Sequence, residues 1–238
     1  MRGWRSLKPV RSRVPVTKYI LDALILTCLA RGAGESGLLR QQWWGLALSA
    51  MLGFAALLRP GEIFNLKRED VVFPEGAVVD EEGGGMVIVV RQPKTRRVFR
   101  TQFILVKEIR VILWLRWWTA ELAPRRKLFP TERHRVAILL REALTALHLE
   151  GVGYTLGSLR SGGATHHFRM FENLAKLQYL GRWQRQDTLR HYLHDAFSVY
   201  TEAGMSATAR AQIAAVHRHV KKLERPPLLA RGLLRWRC

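Results

Sequence analysis

A charged pair follows directly after the longest uncharged segment of the sequence, residues 41–58. Arg59 and Glu62 are three residues apart, so on a helix their side chains would lie on one face. The Glu62 carboxylate can then hold one side of the Arg59 guanidinium and leave its other N–H groups free for an anion. The same spacing fits an ordinary salt bridge at a helix end, and the pair alone favours that structural interpretation.

A second group of cations, Lys94, Arg96 and Arg97, lies at a turn between two predicted strands. A hairpin tip of this kind can reach into a groove. A lysine whose pKa is lowered by neighbouring cations can also donate a proton to a reacting group. A solvated basic turn has the same composition, and without further residues the sequence favours that interpretation.

Arg160 precedes two glycines, Gly162 and Gly163, inside a helical pattern. Glycine is unfavourable within a helix unless another backbone or a phosphate group approaches closely. We expect Arg160 near the start of that helix, where free backbone N–H groups favour anions. Close packing between helices explains the glycines equally well, so an anion site and a packing contact remain two alternatives.

The fourth feature is Tyr192, which follows Trp183 by nine residues and has Arg182, Arg185 and Arg190 around it in the sequence. A phenol with an ordinary pKa of about 10 needs cationic surroundings to act as a nucleophile near neutral pH. Tyrosines of amphipathic helices are more often core residues with a polar tip. The pattern alone therefore indicates a nucleophile only weakly.

These residues are distributed over a chain whose patterns predict a mostly helical domain with one inserted β-meander. Apolar residues at helical spacing predict helices over 16–31, 41–58, 107–122, 132–149, 159–171, 174–183, 188–195 and 205–223, with a short helix opened by Pro60. Runs of β-branched and aromatic residues predict strands at 71–73, 78–79, 86–90 and 98–105. The predicted fold class is mainly α with a small antiparallel sheet.

The composition limits the kinds of protein and partner that remain. The 238 residues include 39 Lys and Arg against 19 Asp and Glu, which gives a formal net charge of +20. With 48% hydrophobic residues the chain can bury a core, which excludes a disordered, collagen-like or low-complexity protein. A basic excess of this size is best explained by a polyanionic partner, and nucleic acid is the first candidate.

Basic residues are concentrated at both ends of the chain. Residues 1–15 hold five basic and no acidic residues, and residues 205–238 hold eight basic residues against Glu224 alone. We expect a basic leader at 1–15, one folded domain at 16–200, and a basic carboxy-terminal helix and tail at 201–238. Prolines near both boundaries suggest that the ends become ordered on binding or assembly.

Several other classes of protein are disfavoured by what the sequence contains. Cys28 and Cys238 are too few for a disulfide framework, and the apolar segment 41–58 is shorter than the roughly 20 residues that span a bilayer. We expect an intracellular protein, nuclear if its host is eukaryotic, that uses no membrane and no small-molecule substrate. A zinc module is disfavoured because its ligands lack a suitably spaced cysteine. Its ligands would be His191, His194, His217, His219 and Cys238.

Taken in order, the four features resemble the catalytic domain of the tyrosine recombinase (phage integrase) superfamily, whose signature is Arg, Lys, His-x-x-Arg, His or Trp, and Tyr. Residues 57–66, Leu-Leu-Arg-Pro-Gly-Glu-Ile-Phe-Asn-Leu, look like the family's first arginine motif. Residues 158–165, Ser-Leu-Arg-Ser-Gly-Gly-Ala-Thr, and 181–183, Gly-Arg-Trp, look most like the eukaryotic mobile-element branch, such as tyrosine-recombinase retroelements and Cryptons. The resemblance covers about residues 16–200.

The resemblance implies a DNA recombinase that cleaves and rejoins double-stranded DNA and needs no cofactor or metal. Tyr192 would attack a scissile phosphate and form a 3′-phosphotyrosyl link. Arg59 and Arg160 would hold the two non-bridging oxygens, Lys94 would protonate the departing 5′-oxygen, and Trp183 would hydrogen-bond the phosphate. Supporting and DNA-contacting residues would be Glu62, Arg96, Arg97, Arg182 and Arg185.

One departure from the family pattern is Gly157, which stands where the family has a histidine that assists proton transfer and contacts the phosphate. The helical amino-terminal domain that usually precedes the catalytic domain is also not recognised. A catalytically impaired DNA-binding relative of the same fold is therefore the alternative function. Members of the family act as tetramers that exchange a carboxy-terminal segment, and residues 205–238 fit either that exchange or an intramolecular cap.

Overall fold

The computed structural model describes residues 13–73, 85–91, 93, 101–190, 192–193 and 195–226. Within them the α-helices are α1 (Lys18–Ala33), α2 (Gly37–Ala55), α3 (Pro60–Ile63), α4 (Ile109–Thr119), α5 (Arg133–Ala146), α6 (Leu156–Phe171), α7 (Leu174–Gly181), α8 (Gln186–Arg190), α9 (Asp195–Ala203) and α10 (Ala207–His217). Short 3-10 helices span Arg68–Asp70, Glu150–Val152 and Val220–Leu223. The strands are β1 (Val71–Val72), β2 (Met86–Val90) and β3 (Gln102–Val106).

The centre of the core is α2, which packs against α1, α4, α5 and α6. Every residue of α2 from Trp43 to Phe54 is buried, as expected for a helix that is apolar on all sides. The hydroxyl of Ser49 is satisfied locally because it donates to the carbonyl of Leu46 at 2.9 Å. The helix ends earlier than residue 58, because Leu57 takes a left-handed conformation with φ of 51°.

The paired glycines of α6 serve packing. A side chain at Gly162 would overlap the backbone carbonyl of Val16, and one at Gly163 would overlap the carbonyl of Phe54 in α2. The segment before α1 and the end of α2 thus approach the α6 backbone on adjacent faces. Of the two alternatives for these glycines, the structure supports close packing.

The predicted β-meander is present as an antiparallel sheet in the order β1-β2-β3. Ile88 of β2 lies opposite Val71 of β1 and Ile104 of β3, and all three side chains are buried. The alternate residues Phe103 and Leu105 of β3 are exposed. The sheet therefore covers one side of the helical core. The predicted strand at 78–79 lies outside the described residues.

The part of the chain after α7 differs from the sequence prediction. The predicted helix over 188–195 is correct only as far as Arg190, where α8 ends. Tyr192 lies in a turn, and its N–H donates to the Leu189 carbonyl at 2.8 Å. A further helix, α9, was not predicted. Its apolar residues, Phe197, Val199 and Tyr200, are exposed, so they do not form the buried stripe that marks a helix in a sequence.

The segment after α9 packs against its own chain. Ile213 of α10 and Leu223 of the following 3-10 helix are fully buried, and α10 contacts α1. The indole N–H of Trp114 in α4 also donates to the carbonyl of Leu223 at 2.8 Å. Residues 205–223 therefore form an intramolecular cap in this structure.

Candidate active site

Arg59 and Glu62 form the pair that their spacing predicts, at the start of α3. The buried Glu62 carboxylate accepts from the Arg59 backbone N–H at 2.9 Å and from Arg59 Nη1 at 2.8 Å. Pro60 at the first helical position fixes the backbone angle without leaving an N–H unpaired. The Arg59 side chain stays 22% exposed, so it is accessible to a ligand from solvent.

Glu62 also holds a second cation, Arg182, which lies just after α7. Arg182 Nη2 donates to Glu62 Oε2 at 3.0 Å and to the Leu57 carbonyl at 3.3 Å, while Nη1 donates to Gln102 of β3 at 3.0 Å. Burial alone would raise the pKa of Glu62, but Arg182 and the N–H groups of Arg59 outweigh it and hold this pKa below its ordinary value. The carboxylate therefore stays charged and anchors two arginines.

Arg160 lies deeper than the sequence indicated. It is the fifth residue of α6, hence in the second turn rather than at the helix start, and it is only 2% exposed. Its Nη1 donates to the Leu57 carbonyl and its Nη2 donates to the Gly181 carbonyl at 2.6 Å, whereas its Nε has no partner among the described residues. Burial, followed by the nearby cations Arg59 and Arg182, lowers the pKa of Arg160 from its usual value. An anion bound here would offset that unfavourable burial of charge.

Trp183 and Tyr192 complete the cluster. The Arg160 guanidinium carbon lies 4.4 Å from the centroid of the Trp183 ring and 5.6 Å from that of the Tyr192 ring. The two rings lie 5.1 Å apart at an angle of 57°. Trp183 is 4% exposed, and its indole N–H has no acceptor among the described residues. The N–H of Trp183 is thus a buried donor that a phosphate oxygen would satisfy.

Two local contacts hold Tyr192 near Arg160. The loop between α7 and α8 carries Trp183 under the Tyr192 ring, and Thr165 of α6 donates its hydroxyl to the Tyr192 carbonyl at 3.2 Å. Leu189 of α8 is fully buried against the same small cluster. Tyr192 itself stays half-buried, so its ring is packed while the residue remains in contact with solvent.

The structure brings together four of the five predicted catalytic residues and leaves the fifth undescribed. Arg59, Arg160, Trp183 and Tyr192 lie around one site. Gly157 lies in the first turn of α6. The predicted catalytic lysine and the two predicted DNA-contacting arginines of the turn between strands lie outside the described residues; they are Lys94, Arg96 and Arg97.

The two cations predicted to contact DNA near Trp183 differ in their surroundings. The Arg182 side chain is 9% exposed, and it donates to Glu62, to the Leu57 carbonyl and to Gln102. Arg185 is exposed and pairs with Asp187 at 3.0 Å. Arg182 therefore supports the site from within, and Arg185 lies on the surface.

The backbone carbonyl of Leu57 is the functional group that the sequence did not reveal. It accepts from both Arg160 and Arg182 because the left-handed conformation of Leu57 turns the chain between α2 and α3. No residue type marks such a carbonyl in a sequence, and a leucine is uncommon at positive φ. The strained turn is thus the point where three elements of the site meet.

Two further properties concern the described residues alone, namely metal binding and membrane crossing. No group of three or more His, Cys, Asp or Glu side chains in these residues is arranged to hold a metal ion. Of the proposed zinc ligands, His191, His194 and Cys238 lie outside the described residues. None of the described helices combines the length and the hydropathy that a membrane crossing requires.

Comparison with known proteins finds similarity in structure and not in sequence. No family model matches the chain, and no curated protein matches it significantly. The structure of XerH site-specific recombinase bound to palindromic difH substrate, a post-cleavage complex, superposes with a TM-score of 0.60 at 15% identity. The pre-cleavage complex of XerH with difH gives 0.58, also at 15% identity. Each match covers 81% of this chain and 53% of XerH, so the chain spans about half the length of that protein. The chain therefore has the fold of the tyrosine recombinase catalytic domain.

Proposed function

We propose that this protein belongs to the tyrosine recombinase superfamily and cleaves and rejoins double-stranded DNA with Tyr192 as the nucleophile. The observation that carries the proposal is the cluster in which Arg160 lies against both Trp183 and Tyr192, at 4.4 and 5.6 Å from their rings. The structural neighbours are recombinases in complex with DNA, which supports the same partner here. The net charge of +20 supports it independently.

The proposed reaction exchanges one phosphate ester for another. The Tyr192 phenol releases its proton to solvent, and its oxygen forms a bond to phosphorus while the bond from phosphorus to the 5′-oxygen breaks. Lys94 gives a proton to that departing oxygen and regains one from solvent. Arg59 and Arg160 bind the non-bridging oxygens, and the Trp183 N–H donates to the same phosphate. Because the new link is also a phosphodiester, a 5′-hydroxyl can attack it and rejoin the strand without another energy source.

The arginines supply the charge that this reaction needs. Negative charge grows on the non-bridging oxygens in the transition state, and preorganised donors stabilise it most where water is excluded. Arg160 is fixed by two carbonyls, and Glu62 fixes Arg59 and Arg182. These donors therefore rearrange little when the phosphate reacts. Removal of one donor is expected to lower the rate of DNA cleavage by a factor of about 10²–10³.

The test is covalent trapping on a pool of nicked duplexes with random sequence, in which loss of the short 5′-hydroxyl fragment prevents rejoining. We expect a protein–DNA adduct whose modified peptide contains Tyr192. The adduct should disappear in Tyr192→Phe and persist in the matched control Tyr200→Phe, since Tyr200 is exposed on α9. Absence of any adduct, or an adduct that survives Tyr192→Phe, contradicts the proposal.

A second candidate function is DNA binding without cleavage, by a catalytically impaired relative of the same fold. It is favoured by Gly157, which provides no side chain next to Arg160 in the first turns of α6. Both functions predict an affinity for DNA that falls steeply with salt, so binding does not separate them. If the native chain yields no adduct and Gly157→His creates one, the native protein is a binder.

Finer properties follow from the resemblance of residues 158–165 and 181–183 to mobile-element recombinases. On that ground we propose an origin in a eukaryotic mobile element and, in that case, a nuclear location. From the resemblance to the superfamily as a whole we propose assembly into a tetramer on DNA. The buried position of Ile213 and Leu223 in their own chain means that exchange of the carboxy-terminal segment would require α10 to leave its own core. Mass measurement with and without a trapped duplex would reveal a tetramer.

A further inference from the structure

The segment before α1, residues 13–17, is held against the first turns of α6. The Val16 N–H donates to the Ser158 carbonyl at 3.2 Å, and Val16 is 2% exposed. Gly162 lets the Val16 backbone approach closely, because a side chain there would overlap the Val16 carbonyl. Pro15 is buried in the same contact. The segment is therefore fixed on α6 and carries its side chains to a defined place.

That place is the space above Gly157. A Cβ built at Gly157 would overlap the Arg13 guanidinium, so this guanidinium fills the volume where a side chain of residue 157 would begin. Arg13 is exposed and makes no hydrogen bond or ion pair with any other described residue. The Arg13 guanidinium thus has a defined position, no partner among the described residues and access to solvent, so it can bind an anion.

Gly157 and Arg160 are three residues apart on α6, and residues at this spacing lie on one face of a helix. Along that face the Arg160 guanidinium reaches the Trp183 ring. The Arg13 guanidinium thus lies one turn before Arg160 on the side of the helix that leads to the cluster.

We propose that Arg13 contacts the DNA phosphate bound by Arg59 and Arg160, in the space that Gly157 leaves open. This inference rests on the proposed recombinase function. A guanidinium donates hydrogen bonds and stays charged near neutral pH, so Arg13 binds and stabilises negative charge and does not accept a proton. The absence of a side chain at residue 157 is then compensated by a residue 144 positions earlier in the chain.

The first test compares Arg13→Ala with Arg141→Ala, which removes the same charge from an exposed position on α5. On a duplex recovered by trapping, we expect Arg13→Ala to slow adduct formation about 10-fold or more, since one charged donor to the phosphate is lost. Arg141→Ala should stay within about twofold of the native rate, as expected for a surface charge. Thermal unfolding of both variants verifies that each is folded.

A substrate with a methylphosphonate at the scissile position separates phosphate contact from general DNA affinity. Replacing a non-bridging oxygen removes the negative charge that Arg13 would bind, so the effect of Arg13→Ala should shrink to about the effect of Arg141→Ala. Equal rates for Arg13→Ala and Arg141→Ala on ordinary DNA would overturn the inference while the recombinase function stood. No Tyr192-dependent adduct with the native chain would remove both.

The second test places a different cation in the same space. In Arg13→Ala/Gly157→His the imidazole occupies the vacated volume, and it is charged below a pKa of about 6.5. We expect this double variant to recover part of the lost rate at pH 6 and much less at pH 8. Gly157→His with Arg13 present should give no gain. If Arg13 only held the segment in place, the histidine would restore no rate at either pH.

Discussion

The Arg160 guanidinium stacks on the Trp183 ring, with its central carbon 4.4 Å from the ring centroid. This contact joins the interior of α6 to the loop after α7, which are adjacent only in the folded chain. A guanidinium over an indole face gains electrostatic attraction of about 2 kcal/mol when desolvated. The same guanidinium carbon lies 5.6 Å from the centroid of the Tyr192 ring. The indole N–H is buried and has no acceptor among the described residues.

The indole N–H can be tested apart from the ring. Trp183→Phe keeps an aromatic face for Arg160 but removes the buried donor and part of the ring, so the free energy of unfolding should fall by less than the about 3–5 kcal/mol that truncating a buried Trp to Ala costs. If the donor binds the phosphate, the rate of adduct formation should fall by about 10-fold or more. Single-turnover trapping and urea unfolding measure the two effects. A rate equal to that of the native protein would show that the N–H does not contact the phosphate.

Removal of the Glu62 charge should lower the stability of the protein by a large amount. Its carboxylate is 4% exposed and pairs with Arg59, whose side chain is 22% exposed, and with Arg182, whose side chain is 9% exposed. Leaving the largely buried Arg182 without this partner costs about 3–5 kcal/mol. Glu62→Gln should therefore unfold at much lower urea concentration than the native protein. As a control, Glu69→Gln removes a carboxylate that is 33% exposed and pairs with Lys67 at 3.8 Å, and it should change stability by less than about 1 kcal/mol.

The lowered pKa of Glu62 also sets the direction of a pH effect. The unfolded chain binds a proton at this carboxyl more readily than the folded chain. The ionised Glu62 carboxylate therefore contributes fully to the free energy of unfolding above an unfolded pKa of about 4.3, and this contribution is lost as the pH falls through the lower folded pKa. The free energy of unfolding should decline below about pH 4.5. Urea unfolding between pH 7 and 3 should show a weaker decline in Glu62→Gln than in the native protein; equal declines would contradict the assignment.

His166 and His167 should produce a separate pH dependence of stability, closer to neutral pH. Burial lowers the pKa of His167, against the opposing hydrogen bond between its Nε2 and the Ala55 carbonyl at 3.1 Å, and burial lowers the pKa of His166 as well. Both imidazoles are therefore protonated more easily in the unfolded chain. The two neutral imidazoles contribute fully to the free energy of unfolding above the unfolded pKa of about 6.5. This contribution falls as the pH drops toward their lower pKa values in the folded chain.

Variants at this pair should weaken the decline that begins near pH 6.5. His167→Gln keeps a polar group near the Ala55 carbonyl and removes the titration, so the slope of stability between pH 6.5 and 5 should become smaller. His134→Gln is the control, because His134 is exposed on α5. Urea unfolding at half-unit pH intervals gives the slopes, and an unchanged slope in His167→Gln would contradict this prediction.

The sequence predicted those parts of the site whose geometry depends only on residue type and on spacing along the chain. The pair Arg59 and Glu62 is local, and its geometry follows from three residues of helix. The depth of Arg160 was missed because it depends on where α2 and α7 end. The position of Arg13 over Gly157 was missed because 144 residues separate them, and only tertiary packing brings them together.

The glycines of α6 provide a prediction about the contacts that bring these elements together. Gly162→Ala would push against the Val16 carbonyl, and overpacking a buried contact typically costs about 1–3 kcal/mol. Gly151→Ala is the matched control, since a methyl group there meets nothing within 4 Å. We expect a lower urea midpoint only for Gly162→Ala. This variant should also slow adduct formation more than its stability loss explains, because displacing the backbone at Val16 moves Arg13 away from Gly157. A Gly162→Ala protein as stable as Gly151→Ala would mean that the segment before α1 does not pack on α6 in solution.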